Sequence, residues 1–190
     1  LFNLPVKILL AMLKIGDKLP EFRLKGFDGN YYTNYDYADK YALAVVFTCN
    51  SSEISKAYAQ RLLNLFEKYE EDNLAIVGVN SNDAEQSPLD SFENMVKAAE
   101  LYKLADRHFL FLQDETQDLA KAFGATVNPE VFLFNRKREL VYKGAIDDSW
   151  QSEAMATAVY LEEAIEEALD GMEIDYPEIP AIGTPIIWKK

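Results

Sequence analysis

The stretch that decides the fold is Tyr41-Ala42-Leu43-Ala44-Val45-Val46-Phe47-Thr48-Cys49-Asn50-Ser51-Ser52-Glu53. Tyr41–Thr48 is a near-continuous apolar run, the pattern of a strand covered on both faces. Behind it Ile54, Tyr58, Leu62, Leu65, Phe66 and Tyr69 recur at three- and four-residue steps, with Lys56, Arg61, Glu67, Lys68 and Glu70 between them. That spacing predicts a long amphipathic helix. A buried strand running straight into a helix places Phe47–Glu53 beyond the carboxyl end of the strand, where ligands sit in open α/β sheets.

Working outward, residues 22–33 alternate around Asp28-Gly29, a hairpin signal. Leu74–Asn80 reads as a second buried strand. Asp90 and Glu93 have the spacing of a capping box and open a helix with Phe92, Met95, Val96 and Ala99 inward. A short apolar piece at Phe109–Leu112 precedes a brief helix over Thr116–Phe123. Val131–Phe134 and Glu139–Tyr142 are strands joined through Arg136–Arg138. A last helix is expected over about Ser152–Asp170, burying Ala158, Leu161, Ile165 and Leu169 behind an outer face of Glu162, Glu163, Glu166 and Glu167. Pro177, Pro180 and Pro185 make the tail from Gly171 extended. Strands alternating with helices, closed by a two-strand hairpin, give an α/β fold with a mixed sheet. The expected organisation is an arm over 1–12, a domain over 13–171 and a tail packed on it over 172–190.

Composition narrows the function. The 190 residues are 49% hydrophobic and 13% aromatic, enough for a substantial core. A formal net charge of -13 excludes the cationic footprint that nucleic acids require and disfavours anionic membrane surfaces. One cysteine makes no internal disulfide, and one cysteine with one histidine closes no zinc site of the usual kind, so no metal and no cofactor is expected. Leu1–Leu13 is apolar but shorter than the ~20 residues of a membrane span, and Pro5 and Lys7 interrupt it. No small-residue cleavage site follows it. It reads as an arm docked on the domain, with Met12 a candidate start, and the protein is expected to be soluble and cytoplasmic; export or membrane association through the arm is the minor alternative.

Cys49 at a strand-to-helix junction faces the positive end of a helix dipole and its free N–H groups, which stabilise a thiolate. Glu53, one turn on, opposes a second negative charge. The alternative is a cysteine serving as a small buried hydrophobe.

At this junction the chain resembles a known family. Phe47-Thr48-Cys49-Asn50, Asn80-Ser81-Asn82-Asp83, Asp90–Met95, Asp114-Glu115-Thr116-Gln117, Pro129–Phe134, Leu140–Gly144, Ile146-Asp147-Asp148, Ile182-Gly183 and Trp188-Lys189 occur in matching order. Together they are similar to the thioredoxin-like redoxins of the alkyl hydroperoxide reductase / thiol-specific antioxidant (AhpC/TSA) superfamily. The branch carries Cys-Asn-His-Cys-Pro at its active site and Gly-Cys-Ser-Ile-Lys-Trp near its carboxyl end. The resemblance, over about Leu13 to Lys189, implies a thioredoxin-like fold with an N-terminal hairpin extension and an extended C-terminal tail.

The departures bear on function. Ser51 stands where the branch has His, Ser52 where it has its second active-site cysteine, Glu53 where it has Pro, and Thr184 where it has the distant cysteine. Cys49 keeps the nucleophile position without an intramolecular partner to expel a mixed disulfide. The resemblance implies Cys49 and Ser52 as catalytic residues, Ser52 donating a hydrogen bond to the thiolate. It implies Thr48, Asn50, Ser51, Asn128 and Pro129 as the partner-binding set, with Asn128-Pro129 as a cis-proline site offering its backbone to a bound polypeptide or thiol. The peroxidase frame Pro-x-x-x-Thr-x-x-Cys is absent, since Ala42 and Val46 occupy its positions. Two readings follow. One is a monothiol oxidoreductase that forms mixed disulfides with a protein or small-molecule thiol, or acts as a weak one-cysteine peroxidase, with glutathione or thioredoxin as external reductant; it predicts accelerated alkylation of Cys49 at low pH. The other is a redox-inactive binding or assembly module. Asp147 and Asp148 read as a turn, His108 as a surface or core residue apart from Cys49, and Tyr31, Tyr32, Tyr35 and Tyr37 as packing over the sheet.

Overall fold

The computed structural model describes residues 12–190, so the arm expected over 1–12 lies, apart from Met12, outside the described residues. Leu13 is buried and its N–H reaches Phe123 O. A hairpin of β1 (Arg23–Gly26) and β2 (Tyr31–Thr33) comes first. Its turn holds Gly29 at φ +85°, a left-handed angle that glycine adopts without a Cβ clash, while Asp28 Oδ1 accepts from Asn30 N. Then follow β3 (Ala42–Phe47), α1 (Glu53–Tyr69), β4 (Leu74–Asn80), α2 (Phe92–Leu101), β5 (Leu110–Gln113), α3 (Asp118–Phe123), the two-residue β6 (Val127–Asn128), β7 (Glu130–Phe134), β8 (Leu140–Gly144) and α4 (Tyr160–Leu169). The tail adds β9 (Glu178–Ile179) and β10 (Thr184–Pro185).

One mixed sheet runs in the order β2-β1-β5-β4-β3-β7-β8-β9, with β3, β4 and β5 parallel and β7 antiparallel to β3. Every residue of β3 is fully buried, because the sheet is covered on both faces. Ala42, Ala44 and Val46 pack with Tyr58 and Leu62 of α1, Met95 of α2 and Leu161 of α4. Leu43, Val45 and Phe47 pack with Leu119 and Phe123 of α3, Tyr37 and the tail residue Ile186.

Three expectations need correction. The last helix begins at Tyr160, not near Ser152. Asp148 accepts from Thr157 N at 2.8 Å and its own N–H reaches Ala158 O, which ties the chain before α4 into the turn after β8. The inward set is therefore Leu161, Ala164, Ile165 and Ala168, with Ala158 and Leu169 only half-buried. The N-cap of α2 is Ser91, not Asp90; Ser91 Oγ accepts from Asn94 N, and Glu93 faces Lys97 at 2.7 Å. Of the tyrosines, Tyr37 is buried and Tyr32 packs on the core, but Tyr31 and Tyr35 are exposed.

A candidate thiol site at the head of the first long helix

The loop from β3 to α1 is organised by a carboxylate from another element. Asp90, fully buried, accepts from Asn50 N at 2.7 Å and Ser51 N at 3.0 Å through Oδ1. Its Oδ2 accepts from Ser51 Oγ at 2.6 Å, Ser87 Oγ at 2.7 Å and Asn82 Nδ2 at 2.9 Å. Burial pushes the Asp90 carboxyl up, but the hydrogen bonds from Asn82, Ser51 and Ser87 outweigh it and hold the group below the usual carboxylate value. Sequence reasoning missed this residue because its spacing to Glu93 mimics a helix cap.

Cys49 is 4% exposed, with Sγ 3.6 Å from Ser51 Oγ. Ser51 has one hydroxyl proton and directs it to Asp90, so the Cys49 thiol is the donor in that contact. Burial pushes the Cys49 thiol above its ordinary value and the charge of Asp90 adds to this; the contact with the Ser51 hydroxyl, then the N–H groups of Ser52 and Ser51, pull the other way without matching them. The dipole advantage expected from sequence is thus outweighed, and with it the expected acceleration of Cys49 alkylation at low pH: Asn50 N and Ser51 N donate to Asp90. The opposing carboxylate is Asp90 and not Glu53, which lies exposed beside Lys56.

Cys49 sits at the wall of a cavity of about 310 Å³ between α1 and α2. Thr48 and Asn50 line it too, with Leu62, Leu104, Phe109 and Phe111 among its apolar walls.

The Ser52 hydroxyl does not bond the thiol. It is the N-cap of α1, accepting from Ser55 N at 3.2 Å, and it donates to Asn128 O at 3.2 Å. With that proton spent, the Thr184 hydroxyl is the donor in its 2.8 Å contact with Ser52 Oγ. The two positions at which the resembling branch carries its further cysteines therefore touch. Asn128-Pro129 is a cis peptide bond, as expected. On the Asn128 side, β10 pairs antiparallel with β6 in the register Thr184↔Asn128. The chain's own tail occupies that edge, and Asn128 is fully buried with Nδ2 on Asn82 Oδ1. Further along, Ile187 N donates to Asn82 Oδ1 and Ile187 O accepts from Asp83 N and Gln117 Nε2. Pro129 is buried and lines a small cavity with Tyr58, Ile146 and Trp150 rather than the one that Cys49 lines.

The structure therefore brings Thr48, Cys49, Asn50 and Ser51 together with Asp90, and groups Ser52 and Asn128 with Thr184 in a separate latch. Asp147 is a structural hub, accepting from Tyr58 Oη at 2.6 Å, Arg61 Nη1 at 2.7 Å and Ser149 N at 2.8 Å. His108 is exposed in the turn before β5. Among the described residues no group of three or more His, Cys, Asp or Glu side chains is placed to hold a metal ion, and no helix is long and apolar enough to cross a membrane.

Comparison with known proteins agrees with this geometry. No curated protein matches the sequence. A hypothetical protein from Sinorhizobium meliloti 1021 is similar at 30% identity over 94% of this chain and 97% of its own, with a TM-score of 0.86. An uncharacterized conserved protein from Geobacillus kaustophilus is similar at 34% identity over 94% of both chains, with a TM-score of 0.85. A thiol:disulfide interchange protein from Bacteroides sp. shares the fold at 19% identity, covering 84% of this chain and 92% of its own, with a TM-score of 0.62. Residues 15–143, which hold the hairpin, the Cys49 loop and the Asp90 hub, match the AhpC/TSA family, so the chain belongs to that family with the thioredoxin-like fold.

Proposed function

We propose that the protein is a monothiol redoxin whose chemistry is thiol exchange at Cys49. The observation that carries this is the placement of the chain's only sulfhydryl at the wall of an open cavity at the strand-to-helix junction. In the forward step the Cys49 thiolate attacks a disulfide R–S–S–R′; the Cys49–S–S–R bond forms, the S–S bond of the substrate breaks, and R′–S⁻ leaves to be protonated by solvent. With Ser52 and Thr184 at the positions of further sulfurs, an external thiol must attack the mixed disulfide, carry R away as a new disulfide and return Cys49 to its reduced form. Glutathione or thioredoxin suits that second step, and such a cycle belongs in a reducing cytoplasm.

The test uses the folded protein with dithiodipyridine, which releases one coloured thiopyridone per thiol modified. The reading expects one equivalent released, with full return of the free thiol after glutathione or thioredoxin is added. Release only after unfolding would overturn it.

A second reading, a redox-inactive binding module, is favoured by one observation: Asp90 and burial both hold Cys49 as a thiol. It expects Cys49→Ser to retain binding of any partner. Peroxide consumption in the presence of glutathione or thioredoxin separates a one-cysteine peroxidase from both.

A further inference from the structure

The cavity beside Cys49 opens to solvent, and its volume of about 310 Å³ lies at the lower end of small-molecule sites. It is roughly twice the ~150 Å³ of a cavity that takes up benzene. Its walls include Leu62 and Leu63 of α1, Leu104, Phe109 and Phe111, buried members of the core cluster on that face of the sheet. Two large apolar side chains stand exposed at its lining, Leu89 at 58% and Leu101 at 77%. The cavity's one charged lining residue, Lys56, is paired with Glu53 at 3.2 Å.

A second observation points to an occupant. Ser55, 2% exposed, also lines the cavity, and its hydroxyl has no hydrogen-bond partner among the described residues. A buried hydroxyl left unpaired is costly, and a polar atom on a bound molecule removes that cost.

We propose that the α1–α2 cavity binds the substituent R of the disulfide attacked by Cys49, and that R is an uncharged aryl or medium-length alkyl group bearing a single hydrogen-bonding oxygen for Ser55. This inference rests on the thiol-exchange reading above and names its substrate class. Glutathione, which carries charged groups at both ends, fits neither the apolar walls nor a protein of net charge -13, and acts only at the recycling step.

The experiment compares methanethiosulfonates CH₃SO₂–S–R, which transfer R–S to the Cys49 thiolate and release methanesulfinate. R is methyl, benzyl, hydroxybenzyl or sulfonatoethyl, and each rate is divided by that for free cysteine. The expected order is hydroxybenzyl, then benzyl, then methyl, then sulfonatoethyl, with benzyl at least about tenfold above methyl, which is about 1.4 kcal/mol of selective binding. Ala59→Phe, which fills the cavity, should bring the benzyl-to-methyl ratio to that of free cysteine, and Ala98→Leu, a smaller intrusion from α2, should lower it in the same direction. Ser55→Ala should abolish the gain of hydroxybenzyl over benzyl. Equal normalised rates for methyl and benzyl in the native protein overturn the apolar pocket while leaving thiol exchange standing. A hydroxybenzyl gain that survives Ser55→Ala overturns the assignment of the oxygen. Failure of every reagent to modify folded Cys49 overturns the thiol-exchange reading itself and this inference with it.

Discussion

Ser52 Oγ and Thr184 Oγ1 lie 2.8 Å apart although 132 residues separate them in the chain. The contact fastens the head of α1 to the tail strand β10, which itself pairs with Asn128 on the other side of Ser52. In a Cys49→Ala background, Ser52→Cys combined with Thr184→Cys is expected to oxidise to an intramolecular disulfide. The closed loop is long, so the bond should raise stability by about 2–4 kcal/mol. Non-reducing electrophoresis and urea unfolding check this; persistence of both free thiols under oxidant would show that the tail does not seat here.

Burial first, and the carboxylate at Asp90 second, hold down the reactivity of Cys49. A thiol whose value is raised stays protonated through neutral pH, so iodoacetamide alkylation of the folded protein should be slow at pH 7. The rate should climb with a midpoint above that of a cysteine in an unfolded peptide. Folding stability tied to this group is present below the unfolded cysteine value of about 8.5 and declines as pH rises through the folded value. Asp90→Asn removes the opposing charge and should accelerate alkylation at pH 7. An alkylation midpoint below that of the unfolded peptide would refute the assignment.

Asp90 also bears on acid stability, with the opposite sign. Its value is depressed in the folded state, so its contribution is present above the ordinary carboxylate value of about 4 and is lost as pH falls through the folded value. Urea titrations from pH 6 to pH 2 should show the native protein losing stability that Asp90→Asn has already lost at pH 6. A parallel pair of curves would count against the hub.

Arg61 and Asp147 form an ion pair at 2.7 Å with both side chains nearly covered, and Tyr58 Oη shares the same carboxylate. Arg61 further donates to Ser149 O and Trp150 O, so this cluster pins the turn after β8 to α1. Asp147→Ala leaves a buried cation without its partner and should cost about 3–5 kcal/mol, read as a fall in the denaturation midpoint. A loss under 1 kcal/mol would mean that water replaces the pair.

Gly144 has φ +130°, and a Cβ there would overlap Ile179 O in the paired strand β9. Gly144→Ala should separate β9 from β8 and expose the chain between α4 and β10 to proteolysis. Unchanged cleavage kinetics would contradict the pairing.

The elements with strong periodicity are legible in the sequence, and those held by distant partners are not. β3 and α1 declare themselves because Ala42–Phe47 is buried on two faces and Tyr58, Leu62 and Phe66 repeat on one. The start of α4 is hidden because Ala158 fits the apolar spacing of the helix, while the Asp148 turn, a tertiary constraint, holds the preceding segment out of it. At the site, Cys49 and the cis bond at Asn128-Pro129 follow from the motif. Asp90 does not, since a carboxylate two residues before a helix has the local signature of a cap, and only the fold brings it to the Cys49 loop. The tail strands are two residues each, too short to show alternation, and their pairing with β6 and β8 depends on backbone groups that carry no side-chain signal.

The latch at Thr184 also sets an order of assembly during translation. A ribosome adding roughly 5–20 residues per second needs roughly 7–26 s to pass from Ser52 to Thr184. Throughout that interval Ser52 waits for its tail partner, joined by Asn128 once that residue is made, and a nascent chain stalled before residue 184 would present an unfastened loop carrying Cys49 to whatever oxidants the emerging polypeptide meets.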